Sequence, residues 1–220
     1  MLKSLLISSA LLLGGATLAC NRAAASAVAI PDPAVDETIR NTSQQQTIVL
    51  AGGCFWGVDA VFKHVKGVTD VRSGYAGGKG AATYEEVSTG DTGYAESVQI
   101  IYDPSKITYG KLLKVFFAVA HDPTEVNRQG PDTGTQYRSA IFYSTDEQQR
   151  IAQAYIDQLN KAKVFRRPLA TQVSALDAFH EAEAYHQNYL ANHPNEPYIV
   201  YHDLPKLENL RKEFPGLYKD

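Results

Sequence analysis

Thr47-Ile48-Val49-Leu50-Ala51 is a β-branched apolar run that stops at Gly52-Gly53, and beyond it the apolar residues change period. Phe55, Val58, Val61, Phe62 and Val65 recur at helical spacing, and Gly67 follows as a stop signal. The pattern demands a buried strand that feeds through a two-glycine turn directly into a helix, with Cys54 at the junction.

The rest of the chain continues the mixture. Val68 to Tyr75 alternates as a strand and ends in the turn Ala76-Gly77-Gly78-Lys79-Gly80, and Tyr94 to Tyr102 alternates up to Asp103-Pro104. Tyr109 to Ala120 reads as an apolar helix, Tyr137 to Ser144 as a strand and Asp146 to Lys163 as a helix. Thr171 to Ala175 is a short strand and Ala182 to Ala191 a further helix. Strands and helices interleaved in this way predict a two-layer α/β sandwich. With 220 residues, 44% of them hydrophobic, the chain can bury one real core, and the folded domain is expected over 47–220.

The N-terminus is of another kind. Lys3 precedes a stretch rich in Leu, Ile and Ala, and small residues follow, so 1–19 reads as an export signal rather than a membrane span. Thr17-Leu18-Ala19-Cys20 resembles the lipobox of bacterial lipoproteins, in which the cysteine is lipidated. Cleavage within Ala23-Ala24-Ala25-Ser26-Ala27 is the alternative, and the lipid on Cys20 is preferred. Either places the chain in the cell envelope of a bacterium, in the periplasm or anchored to a membrane. Residues 20–46 are rich in Ala, Pro, Asp, Ser and Gln without apolar periodicity, which suits a flexible tether.

Charge and cysteine content exclude several classes. The 21 Lys plus Arg against 24 Asp plus Glu form no dense basic run, so nucleic acid is not an expected partner. Two cysteines cannot build a disulfide framework or a four-thiolate zinc site. Gly77-Gly78-Lys79-Gly80 lacks the spacing of a phosphate loop, and Ala184 stands where a zinc-protease helix beginning at His180-Glu181 needs its second histidine. No metal is expected. Methionine occurs once, at Met1, and a domain without methionine has no core thioether to oxidise.

The chemistry concentrates at Cys54 and Glu96. A cysteine at a helix N-terminus meets unpaired backbone N–H groups and the positive end of the dipole, which should lower its pKa and make it a nucleophile. The competing reading is a buried cysteine acting as a small hydrophobe. Phe55 and Trp56 are core aromatics or the walls of an apolar pocket for a methyl group. In Tyr94 to Tyr102, alternation sets Glu96 beside Val98, Ile100 and Tyr102 on the apolar face. A carboxyl there holds its proton at neutral pH and can act as a general acid; the alternative is a glutamate that reaches solvent past the strand end.

A longer set of motifs then coincides. Gly53-Cys54-Phe55-Trp56-Gly57, Gly74-Tyr75-Ala76-Gly77-Gly78, Thr83-Tyr84-Glu85-Glu86-Val87, Gly90-Asp91-Thr92-Gly93, His121-Asp122-Pro123, Asn127-Arg128-Gln129-Gly130, Gly134-Thr135-Gln136-Tyr137-Arg138-Ser139 and Tyr185-His186-Gln187, with Ala95-Glu96, Asp103-Pro104 and Asp132, resemble the A-type peptide methionine sulfoxide reductases in chain order. The resemblance implies a sandwich related to the ferredoxin-like plait, with extra helices and long loops, and reduction of methionine-S-sulfoxide, free or in proteins. It implies that Cys54 attacks the sulfoxide sulfur and that Glu96 protonates the oxygen. It further implies that Tyr84 and Tyr137 donate hydrogen bonds to that oxygen, that Asp132 lies beside the pocket, and that Phe55 and Trp56 hold the S-methyl group. The product on the enzyme is a Cys54 sulfenic acid. A monomer is expected, with no cofactor but with an external thiol reductant: a thioredoxin-like or glutaredoxin-like protein, or a low-molecular-weight thiol.

Two positions depart from the family pattern. Tyr94 stands where many members have histidine, and Tyr198 to Asp220 lacks the resolving cysteines that many members carry in a C-terminal tail. The chain resembles the single-cysteine branch. Two rival readings are a cysteine hydrolase with His186 as base, and a non-enzymatic lipoprotein whose aromatics cage a methylated cation.

Overall fold

The computed structural model describes residues 30–39 and 44–220. The signal segment and Cys20 lie outside them.

The first strand, β1 (Gln46–Gly52), feeds α1 (Phe55–Lys63), as the change of period predicts. Next come β2 (Val68–Ala76), the short α2 (Tyr84–Ser88), β3 (Ala95–Tyr102) and α3 (Tyr109–Val115). Then follow the hairpin β4 (Arg128–Gln129) and β5 (Asp132–Thr133), β6 (Ser139–Tyr143), α4 (Asp146–Lys161), β7 (Gln172–Ala175) and β8 (Phe179–Glu181). The short α5 (Tyr189–Asn192) and α6 (Leu204–Glu213) complete the order.

Six strands form one sheet in the order β7-β6-β1-β3-β2-β8, antiparallel except for the β6–β7 pair. Its two faces differ in side-chain size. Ile48, Leu50, Val98, Ile100 and Tyr102 point into the main core under α1, α3 and α4, whereas Val49, Ala51, Ala76, Ala95 and Ala140 make a thin second layer closed by Phe142, Leu176 and Phe179. The helices thus cover one face, giving the expected two-layer sandwich. Each large core side chain contributes about 1.5–3 kcal/mol by leaving water, and Phe55, Phe62, Phe116 and Phe117 are all fully buried.

Several elements differ from expectation, each for a local reason. The apolar run 109–120 is an α-helix only to Val115; Phe116–Ala120 is one wide π turn. The turn leaves the Phe116 carbonyl to the buried His121 ring, 3.2 Å from Nδ1. The expected helix over Ala182 to Ala191 forms only as two separate pieces, a 3-10 turn at Ala184–His186 and the one-turn α5. Phe179–Glu181 pairs with β2, and the Gln187 side chain bonds the Ser73 backbone in both directions, 3.0 Å from its N–H and 2.9 Å from its carbonyl. The chain then turns through a left-handed Asn188 at φ 55°. Tyr137 lies in a 3-10 turn rather than in β6, and the C-terminal stretch folds into a π turn at Ile199–Asp203 followed by α6.

The tether expected over 20–46 is corrected over residues 30–39. Ile30 is buried in the main core, and the Tyr155 hydroxyl donates to the Pro31 carbonyl at 2.7 Å. Asp36 accepts from the Gly110 N–H at 2.8 Å, and Glu37 accepts from the Tyr109 N–H at 2.8 Å and from the Tyr102 hydroxyl at 2.9 Å. Two carboxylates therefore satisfy the orphan donors at the start of α3, where the helix dipole favours them. A composition that suits a linker has here been used as a strap.

Candidate active site

Antiparallel pairing brings the end of β1 beside the start of β6, with Gly52 opposite Ser139, and β1 runs antiparallel to β3, which opens with Ala95-Glu96. Three strand ends thus share one rim. Cys54 is the N-cap of α1 on that rim. Gly53 sits at φ +86°, and a Cβ there would lie 2.5 Å from the Gln129 side chain, so only glycine lets the β4–β5 hairpin close over the turn. Gln129 is itself fixed by accepting from the Asp122 N–H at 2.9 Å.

The Cys54 thiol is buried and unpaired. Burial pushes its pKa well above the ordinary value, and the carboxylates of Glu96 and Asp203 add to the rise. The Trp56 backbone N–H and Lys206 act the other way and do not prevail. This runs against the expectation that the helix N-terminus depresses the thiol: desolvation outweighs the pull of the Trp56 N–H and Lys206 in the resting site.

Glu96 is buried, with 4% of its surface exposed, which decides against a solvent-reaching glutamate. It pairs across the sheet with Tyr75, and its Oε2 accepts from the Phe55 N–H at 3.0 Å. Burial lifts its pKa to about 8 against the pull of that bond, with Asp132 and Asp203 raising it further. At neutral pH the carboxyl is therefore protonated, and its contribution to the rise at Cys54 is correspondingly weakened.

Tyr84, at the start of α2, and Tyr137 both face this pair. Burial raises both phenols, and Glu96 and Cys54 raise each of them further once they ionise. Asp132 accepts a short hydrogen bond from the Tyr198 hydroxyl. Phe55 is fully buried, while Trp56 is half-buried and stacked on Tyr189 with ring centroids 3.7 Å apart and 5° between planes. The sequence-predicted residues Cys54, Phe55, Trp56, Tyr84, Glu96, Asp132 and Tyr137 therefore share one neighbourhood.

The C-terminal segment supplies groups that sequence reasoning missed. Asp203 is fully buried and accepts from Lys206 Nζ at 3.0 Å. A Cβ at Gly57, one turn beyond Cys54, would lie 2.1 Å from Asp203 Oδ1 and 2.6 Å from Lys206 Nζ. The Gly57 of the Cys-Phe-Trp-Gly motif is thus the groove through which the tail crosses α1. Glu183 accepts from the Tyr75 hydroxyl at 2.9 Å and from the Tyr84 N–H at 2.8 Å. No periodicity marks Asp203 or Glu183; only the glycine hinted that another segment passes here.

A family model described as peptide methionine sulfoxide reductase matches residues 46–217. The chain belongs to the peptide methionine sulfoxide reductase family. It is 58% identical to peptide methionine sulfoxide reductase MsrA 2 of Mesorhizobium japonicum over 80% of this chain and 90% of that one. It is 53% identical to MsrA 2 of Synechocystis sp. over 86% and 90%. The reduced form of Mxr1 from Saccharomyces cerevisiae superimposes with a TM-score of 0.64 at 34% identity, covering 76% of this chain and 96% of the yeast chain.

The enzyme is a peptide-methionine (S)-S-oxide reductase, an oxidoreductase that repairs oxidised methionine. Membership of this family replaces the hydrolase alternative. His186 Nδ1 accepts from the Trp56 indole at 3.2 Å, so that nitrogen is not a free base for Cys54. Among the described residues no cluster of three His, Cys, Asp or Glu side chains could hold a metal, and no helix is long and apolar enough to cross a membrane.

Proposed function

We propose that Cys54 attacks the sulfoxide sulfur while Glu96 delivers its proton to the oxygen. The observation that carries this reading is the buried Glu96 carboxyl, tied at 3.0 Å to the N–H of Phe55, the residue next to Cys54, and pushed by that burial toward its neutral form. A sulfoxide oxygen leaves poorly until protonated, and a positioned acid contributes roughly 10²–10⁴-fold. Tyr84 and Tyr137 donate to the same oxygen, Asp132 closes the polar side, and Phe55 and Trp56 enclose the S-methyl group.

The atoms balance without a cofactor. The thiol and the sulfoxide become Cys54 sulfenic acid and the thioether: the oxygen moves to Cys54 carrying the Glu96 proton, and the thiol proton restores the Glu96 carboxyl. A resting thiol that is protonated suits this exchange. The Trp56 N–H at the start of α1 stabilises sulfur charge as it develops.

An external thiol then attacks the sulfenic acid, releases water and leaves a mixed disulfide, which a second thiol resolves. We assign that role to a thioredoxin-like or glutaredoxin-like protein or to a small thiol, because Cys54 is the only cysteine in 44–220. We keep Cys20 as a lipid site and the cell envelope as the location, on the lipobox-like Thr17-Leu18-Ala19-Cys20.

Methionine release from each sulfoxide epimer by the full chain, with dithiothreitol, tests the reading. Turnover of the S epimer by the native chain, and its loss in Cys54→Ser with unchanged circular dichroism, are expected. Substantial activity in the serine variant would overturn it.

A further inference from the structure

We infer that Gln136, with Thr135 beside it, is a positioning residue for the sulfoxide step: it clamps the end of α2 to the turn that carries Tyr137, and so holds the Tyr84 phenol in register with the Tyr137 phenol. The inference rests on the reading of both tyrosines as donors to the sulfoxide oxygen.

Two donors serve one oxygen only if their separation is fixed. Tyr84 and Tyr137 stand on different short elements, α2 and the 3-10 turn Thr135–Tyr137, and neither element belongs to the six-stranded sheet. A helix of five residues is too short to hold itself in water, and Val87 is the one buried residue of α2. Its place must therefore come from directed bonds at its ends. At the start, the Tyr84 N–H donates to Glu183 at 2.8 Å. At the far end, Gln136 Nε2 donates to the Ser88 carbonyl at 3.2 Å and Thr135 Oγ1 to the Gly90 carbonyl at 2.8 Å. A rod pinned at one end can pivot. The second pair of bonds removes that freedom, and it comes from the two residues that precede Tyr137.

The amide is there for its donor. Gln136 is 5% exposed, and its Oε1 has no partner among the described residues. Only the NH2 end of an amide can serve a carbonyl, so the Ser88 bond leaves the oxygen unpaired. An apolar side chain of the same length would fill the space without that cost. Room is also made for the oxygen: Gly134 sits at φ +143°, and a Cβ there would run into Gln136 Oε1. What glutamine adds over an apolar residue is the bond to α2.

Single-turnover release of methionine from methionine-S-sulfoxide by the full chain tests this. Gln136→Met keeps the length of the side chain and removes the donor. It should slow the sulfoxide step about tenfold or more, as misplaced reacting groups do, with half-saturation moved less than about twofold. In a Tyr84→Phe background the same substitution should cost less than about twofold, because the hydroxyl it positions is already gone. A general loss of fold would cost the same in both backgrounds. An unchanged rate in Gln136→Met, or equal losses with and without the Tyr84 hydroxyl, would overturn the inference. If Gln136→Met does not fold, Thr135→Val removes the neighbouring bond and enters the same cycle under the same criteria. Tyr84→Phe alone separates the two levels. If it leaves the sulfoxide step unchanged, the donor reading of Tyr84 has failed and the inference with it; if it slows that step while Gln136→Met shows no coupling, only the positioning role has failed.

Discussion

The backbone N–H of Phe55 donates to Glu96 Oε2 at 3.0 Å, so the proposed acid is hung from the residue that follows the proposed nucleophile, Cys54. Any movement of the first turn of α1 moves both partners together. Replacing Glu96 by Gln keeps the shape and the acceptor but removes the transferable proton. Glu96→Gln should slow the sulfoxide step by roughly 10²–10⁴-fold with little change in KM. Single-turnover kinetics check this, and a variant with raised KM but normal chemistry would make Glu96 a binding residue.

The same carboxyl predicts a pH dependence. Its folded pKa, about 8, is raised above the ordinary 4.5, so its stabilising contribution is complete below pH 4.5 and is lost as pH rises to about 8. Relative to Glu96→Gln, the native protein should lose melting temperature across that window, each pKa unit being worth about 1.4 kcal/mol. The native sulfoxide step should also fall above pH 8 as the acid ionises. Parallel melting curves from pH 5 to 9 would count against a buried, protonated Glu96.

Lys206 neutralises Asp203, which has no exposed surface and one oxygen without a partner among the described residues. Lys206→Met should cost about 3–5 kcal/mol by leaving a buried carboxyl unpaired. Asp203 is already pushed up by burial, so the loss should shrink at acid pH, where it takes up a proton. Asp203→Asn combined with Lys206→Met should restore much of the stability. Chemical denaturation of the two variants measures this; equal losses would show that the pair does not set the cost.

The strap at residues 30–39 predicts that the domain does not begin at Thr47. A chain starting at Gln44 loses the buried Ile30 and the two carboxylates that cap α3. It should be less stable by about 2–4 kcal/mol, from lost burial and lost capping, with turnover per folded molecule unchanged. An identical melting temperature would return the segment to the status of a linker.

Much of this was legible in local pattern. The strand, two-glycine turn and helix around Cys54 follow from a change of hydrophobic period, and Glu96 could be set on the apolar face because β3 keeps strict alternation up to Asp103-Pro104. What escaped depends on tertiary contact. The residues 182–191 alternate like a helix, yet Gln187 gives its amide to the Ser73 backbone, and no local signal announces a partner 114 positions away. Asp36 and Glu37 looked like linker residues because their role exists only against α3. The thiol's pKa departs from the sequence expectation because helix position is visible in sequence and desolvation is not.

In the proposed mechanism one turnover transfers one oxygen from the sulfoxide to Cys54. Mixing the full chain with excess methionine-S-sulfoxide in the absence of reductant, then measuring free methionine and intact mass, tests it most directly. One methionine per enzyme is expected, with a mass gain of one oxygen or capture of an added thiol or dimedone at Cys54, and neither in Cys54→Ser. Methionine in excess of one per enzyme, or a loss of two hydrogens with a peptide linking Cys20 to Cys54, would contradict it.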